Sequence, residues 1–212
     1  MKKFSNQEGA IIIHKMIEVI QENKQYLSDI DGLIGDGDHG VNMNKGFTMT
    51  REALDKDPGG LSHGLLLLAK VLMMRIGGSM GPLYGKTFKA MGKTFSGHEE
   101  IDAALFNEAL TGARESMGVL SPAKVGDKTL VDALYPAIDA FDRSLKSGAD
   151  FKASLEALKK AAEQGRDATK DMVAKLGRSS RLGERSKGVI DAGAASCALL
   201  LGVMADTIIE LL

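Results

Sequence analysis

The sequence predicts an all-α protein, an eight-helix antiparallel up-and-down barrel with its functional site at one loop end. Three observations predict it. Apolar residues recur at helical spacing along most of the 212 residues. Convincing strand alternation appears nowhere. The connections are short and rich in breakers, which makes successive helices antiparallel neighbours.

The first helix is expected near 6–27, where Ile13, Met16, Ile17 and Ile20 form one face. The second, 42–56, lies between the turn-forming stretches "GDGDHG" and "DKDPGG". Leu65, Leu68, Ala69, Leu72 and Ile76 define the third, 61–76, and the fourth, 82–96, runs from "GGSMGP" to "SGHEE". Ile101, Leu105, Ala109 and Met117 mark the fifth, 101–119; Leu130, Leu134, Ala137, Ile138, Phe141 and Leu145 the sixth, 128–146. Phe151, Leu155, Leu158 and Ala162 mark the seventh, 150–176. The eighth, 192–211, opens with "AGAASCALLLGVMA", an apolar run of about 14 residues. That falls short of the ~20 a bilayer span needs, so a buried core helix is expected. A single domain over 1–212 is expected, long enough to bury roughly 70% of the surface its unfolded chain exposes.

Twenty-seven basic residues against 28 acidic ones give a net charge of -1, so no global field favours nucleic acid or an anionic membrane. Recognition must be local. The lone Cys197 excludes an intrachain disulfide and fits a reducing compartment, and "MKKFSNQEGAIIIHKM" lacks the apolar core and cleavage site of a signal peptide. A cytoplasmic location is expected.

In an up-and-down topology alternate loops share an end. The loops before the second, fourth, sixth and eighth helices hold "GDGDHG", "GGSMGP", "VGDKT" and "GRSSRLGERSKGVIDAGA", while the opposite loops carry ordinary turn chemistry. Asp31, Asp36 and Asp38 crowd into eight residues among glycines, so a counter-cation is the simplest compensation for their repulsion. Oxygen donors favour Mg²⁺ or Ca²⁺, and His39 without a nearby cysteine makes a poor zinc site. An EF-hand fails, because position 12 counted from Asp36 is Phe47. The alternative, that Asp36 or Asp38 caps the next helix, accounts for one acid and leaves two repelling each other.

Two nucleotide motifs fail. Gly35, Gly37 and Gly40 match G-x-G-x-x-G, but no strand precedes them, and "GPLYGKT" is one residue short of a P-loop. What survives is a composite site, in which carboxylate-held Mg²⁺ bridges to phosphates received by the backbone of "GGSMG" and by helix N-termini. Arg178 is the favoured phosphate contact among Arg178, Arg181, Arg185 and Lys187. Ser79 as a cap, Met80 as core filler, and Asp191 as either cap or pocket wall stay open.

The motifs "DGLIGDGDHGVNM", "GGSMGPLYG", "GDKTLVDAL" and "GRSSRLGERSKG" together resemble, in order and over essentially the whole chain, the ADP-binding L subunit of bacterial phosphotransferase-system-dependent dihydroxyacetone kinases. The same module forms the C-terminal domain of ATP-dependent dihydroxyacetone kinases. The resemblance implies ADP or ATP held through two Mg²⁺ ions by Asp31, Asp36 and Asp38. It implies a nucleotide lined by His39, Gly40, Val41, Asn42, Ser79, Met80, Leu130, Arg178, Asp191, Ala192 and Gly193. Implied partners are a K subunit that binds dihydroxyacetone, a phosphohistidine-carrying M subunit and, in some members, a transcriptional regulator; a homodimer is left open. A four-carbon ketose or a non-catalytic regulatory role is the alternative. Departures from the family pattern are "DAGA" for "DPGA" at 191–194, "GDKTL" for "GDKTM", "GRSSRLGERS" for "GRASYLGERS", and Ser121 for glycine.

Overall fold

The structure is a computed structural model and describes residues 2–212. The helices are α1 (Ala10–Glu22), α2 (Lys24–Ile34), α3 (His39–Leu54), α4 (Leu61–Arg75), α5 (Met80–Phe95), α6 (Ala103–Leu120), α7 (Val131–Lys146), α8 (Phe151–Ala168) and α9 (Ala192–Leu211). Each packs on its successor, and α9 packs back on α1, so the ring closes into a helical barrel.

The first expected helix is two helices. Asn23 breaks it with φ -97° and ψ 9°, and its Nδ2 donates to Val19 O at 2.8 Å, drawing a side chain into the place of the next helical turn. Both pieces lie against α3, so together they occupy one position in the ring. The consequence is that α2 runs on to Ile34, and Asp31 sits on a helix rather than in the acidic loop.

A small sheet is also present. β1 (Lys3–Ser5) pairs antiparallel with β2 (Glu100–Asp102), placing buried Phe4 opposite buried Ile101. Three residues per strand are too few for a period of two to show in a sequence. β2 feeds directly into α6, whose first turn is capped by Asp102 accepting from Leu105 N at 2.9 Å.

The seventh expected helix ends at Ala168, eight residues early. Thr169 is buried there; its Oγ1 donates to Arg166 O at 2.6 Å and accepts from Asp191 N at 3.0 Å, which turns the chain inward. A 3-10 turn (Thr169–Asp171) and a longer 3-10 segment (Arg178–Ser186) follow.

The two ends of the barrel are packed differently. Phe95, Phe106, Phe141 and Phe151 stack and tilt against one another with centroids 5.3 to 6.1 Å apart, filling the end where α6 and α8 begin. At the other end α9 starts with Ala192, Gly193, Ala194, Ala195 and Ser196, side chains too small to fill the space. At 20 residues and mean hydropathy 1.8, α9 is long and apolar enough to cross a membrane, more than the 14-residue run suggested. In the fold it is a core helix, with 72% of its most apolar window buried.

Candidate functional site: an acid-rich cavity at one end of the barrel

The small residues of α9 leave a cavity of about 560 Å³, bordered by the α2–α3 and α4–α5 connections, the α6–α7 connection and the long loop before α9. Those are the four loops the sequence places together. A cavity of this size is typical of small-molecule sites.

Asp31 comes from the last turn of α2, and Asp36 and Asp38 from the tight link to α3, where Gly37 turns the chain with φ 75°. One carboxylate oxygen from each lies within 4.8 Å of the others. The alternative reading, a cap from Asp36 or Asp38, is not what the fold shows: Asp31 Oδ2 accepts from His39 N at 3.2 Å, while Asp38, at the N-cap position of α3, makes no side-chain cap bond. Asp36 and Asp38 are both exposed and instead face Arg178, which contacts Asp36 Oδ2 and stands 3.6 Å from Asp38 Oδ2. Three carboxylates against one guanidinium leave an excess of negative charge on hard oxygen donors. That donor set fits a divalent cation such as Mg²⁺.

Helices α3, α5 and α9 all begin at the cavity, so their N-terminal dipole ends favour anions there. His39 Nε2 lies 2.9 Å from Ser196 Oγ, which is 2.7 Å from the Tyr84 hydroxyl. Ser196 and Tyr84 both reach Gly193 O, at 3.1 and 3.2 Å, so the chain of side chains ties α3, α5 and α9 together. Burial pushes the His39 imidazole down to about 4 against the pull of Asp31, leaving it neutral at pH 7. Burial likewise holds the Tyr84 phenol well above its usual range.

Asp191 fulfils both open readings geometrically. Its Oδ2 caps α9 by accepting from Ala194 N at 2.8 Å, and it lines the cavity. Burial, with Asp132 and Asp31 acting in the same direction, raises its carboxyl to about 7, although the Ala194 amide and Lys128 oppose the shift. Leu130 is buried at the cavity wall, with Gly193 beside it: a Cβ at 193 would lie 3.3 Å from the Leu130 Cβ. Ser79 stands at the N-cap of α5 without a side-chain cap bond, and Met80 follows it into the lining together with Asn42 and Ala192.

Two of the residues singled out in the sequence stand apart. Gly40 is buried between helices, where a Cβ would overlap Lys24 O and lie 2.6 Å from Ser28 Oγ. Val41 is 49% exposed and absent from the cavity wall. Conversely, Lys128, Tyr84, Ser121, Pro122, Leu176 and Gly177 line the cavity without having been assigned. Lys128 lies within the "VGDKT" loop that the sequence places at the site end without giving its lysine a role, and Tyr84 within the near-miss P-loop.

Fold and site thus define an α-helical barrel with an acid-lined end cavity ringed by helix N-termini. A DAK2 domain model matches residues 33–206, and the chain belongs to the DAK2 domain family. Among its relatives, the PTS-dependent dihydroxyacetone kinase ADP-binding subunit DhaL of Lactococcus lactis is 41% identical over 195 residues, 92% of this chain and 93% of that one. The PEP-dependent dihydroxyacetone kinase ADP-binding subunit DhaL of Escherichia coli is 31% identical over 89% of this chain and 90% of its own. The D-erythrulose kinase of Mycolicibacterium smegmatis is 32% identical, but the chain spans 34% of its length. The crystal structure of the dihydroxyacetone kinase of C. freundii in complex with AMP-PNP and Mg²⁺ shares the fold, with a TM-score of 0.67 and 23% identity over 94% of this chain and 33% of that one.

Proposed function

We propose that this chain is the ADP-binding subunit of a dihydroxyacetone kinase, a phosphotransferase component that holds ADP or ATP through Mg²⁺ while a separate subunit presents the ketose. The observation that carries the reading is the convergence of Asp31, Asp36 and Asp38 on one point at the mouth of a cavity ringed by helix N-termini. Its full-length relatives are ADP-binding subunits by name, which supports it.

Asp31, Asp36 and Asp38 would hold two Mg²⁺ ions, and bound Mg²⁺ supplies charge neutralisation to the phosphates. The chain's own part is positioning. His39, Asn42, Ser79 and Met80 would receive phosphates and ribose at the N-termini of α3 and α5, while Leu130, Ala192 and Gly193 offer the base an apolar wall. Arg178 would move from Asp36 and Asp38 to the phosphates once the acids are neutralised, a bidentate donor exchanging one anionic oxygen partner for another. Gly40 keeps α2 and α3 close enough for Asp31 to join the other acids.

The acceptor belongs to a K subunit and the phosphoryl donor to a phosphohistidine-carrying M subunit, both in the cytoplasm. Leu33, Val41, Met74, Val119, Leu120 and Val125 are exposed and lie near the ends of α2, α3, α4 and α6 or in the α6–α7 connection, elements that border the cavity; among the described residues the other large, apolar, exposed side chains are Ile11 on α1 and Tyr26 at the start of α2. Exposed apolar side chains on the elements around a cavity suit a partner that docks at that end. The K subunit is the occupant that must reach the nucleotide.

Native mass spectrometry and thermal melts test the reading. Purified protein is expected to retain a nucleoside diphosphate, and saturation to 100 Kd with MgADP adds ~2.7 kcal/mol, or roughly 5–11 °C for a chain of this size. Protein indifferent to both ADP and Mg²⁺ would refute it.

A further inference from the structure

We infer that Lys128 is a positioning residue, a buried ammonium hub that folds the loop before α9 and thereby sets Arg178 over the acids. Its Nζ donates to Met172 O at 3.2 Å, Ser186 O at 2.6 Å and Val189 O at 2.6 Å. An ammonium has three hydrogens, so all its donors are used. The three acceptors come from one loop: Met172 precedes the 3-10 segment that begins at Arg178, Ser186 ends it and Val189 follows it.

The backbone under Lys128 is held in place. Among the described residues it is the one non-glycine with positive φ, at 61°, a conformation that costs an L-residue energy and persists only where its surroundings enforce it. They do so here. Buried Asp132 accepts from Gly126 N at 2.5 Å and Thr129 N at 2.7 Å, clamping both sides of the turn. Asp127 O accepts from Lys175 N at 3.1 Å, joining the turn to the loop a second time.

The side chain is 1% exposed. Burial lowers its pKa, while Asp191 and Asp171 favour the charged form, and a buried ammonium is tolerable only when its hydrogens are satisfied. The loop carbonyls and Lys128 therefore need each other. Without the ammonium, three inward-facing carbonyls lose their donor and the loop has no reason to wrap this way.

Two variants separate the effect from general damage. Lys128→Met keeps the stem and deletes the charge; Lys128→Gly deletes the charge and also relieves the positive φ, so the turn itself survives. In hydrogen exchange on the full chain without nucleotide, amides of residues 172–189 are expected to exchange at least tenfold faster in both variants, with α4 and α5 unchanged. Unaltered protection of that loop would overturn the inference, and so would loss of the whole helical signal in both variants.

The second arm rests on the proposed nucleotide site. Arg178→Ala is expected to weaken MgADP binding about tenfold in the otherwise unaltered chain but less than twofold in the Lys128→Met background. Additive effects would mean that Lys128 does not act through Arg178, and would also overturn it. Absence of MgADP binding by the unaltered chain would fail the proposed function alone, since the exchange arm needs no ligand.

Discussion

Gly40→Ala separates helix propensity from packing in one substitution. Alanine inside α3 should stabilise by about 1 kcal/mol on propensity alone. The new Cβ, however, would overlap Lys24 O and lie 2.6 Å from Ser28 Oγ and 2.8 Å from Ser28 N. Two of these three atoms are backbone, so α2 and α3 must part by roughly 1 Å, an overpacking cost of ~1–3 kcal/mol. We expect a net loss of up to about 2 kcal/mol, a fall in Tm of at most roughly 4–8 °C. Gly112→Ala is the control: its nearest neighbours would be 3.9 Å away, and it should gain ~0.5–1 kcal/mol. The same displacement draws Asp31 away from the His39 amide and from Asp38, so MgADP affinity should fall on the order of tenfold. Urea melts and calorimetric titrations read both quantities. A Gly40→Ala protein as stable as Gly112→Ala, with unchanged MgADP affinity, would refute the close-packing account.

Asp36→Asn is expected to remove most of the Mg²⁺-dependent part of the ADP-induced rise in Tm, while the protein without ligand keeps its stability to within about 1 kcal/mol, relief of one repelling charge offsetting the lost exposed pair with Arg178; an undiminished Mg²⁺ response counts against the acids as ligands. Asp191 is raised from 3.8 to about 7, so the folded state holds its proton more tightly than the unfolded state. Its contribution to stability is fully present below about pH 4 and is lost as pH rises towards about 7. The ceiling is about 4 kcal/mol, and the water of an open cavity brings it nearer ~2. Asp191→Asn, which preserves the cap, should therefore flatten the difference in stability between pH 5 and pH 8, and a parallel pair of pH profiles would exclude the shift. Val119→Ser with Leu120→Ser should leave MgADP binding within twofold yet weaken capture of the K subunit at least tenfold by surface plasmon resonance, an expectation that an unchanged Kd would defeat.

Helical periodicity carried the barrel because each helix buries one face, and glycine-rich breakers marked most of its corners. The break at Asn23 escaped because neither glycine nor proline announces it; an asparagine side chain bonding four residues back does the work, and apolar spacing continues on both sides. The early end of α8 escaped for a similar reason: Thr169 is held by Asp191, 22 residues away, a contact no local pattern encodes. At the site, the acids were legible because three like charges on glycine-rich backbone demand compensation. Lys128 was not, since a lysine beside a turn reads as solvated until the fold shows three carbonyls closing on it. Pro136 inside α7 shows the reverse case. Its missing N–H leaves the Asp132 carbonyl free, and that oxygen meets α8 where Gly165 provides room.

The meeting of α9 with α1 sets the order in which the protein can mature. Those two helices are the most distant in sequence of any neighbours in the ring, so their pairing closes the largest chain loop and comes at the greatest entropic cost. Until α9 emerges from the ribosome, the apolar surfaces that α1, α7 and α8 turn towards it have nothing to cover them. A nascent chain at that stage presents an open trough of isoleucine, leucine and phenylalanine, the form in which chaperones would meet it and aggregation would begin.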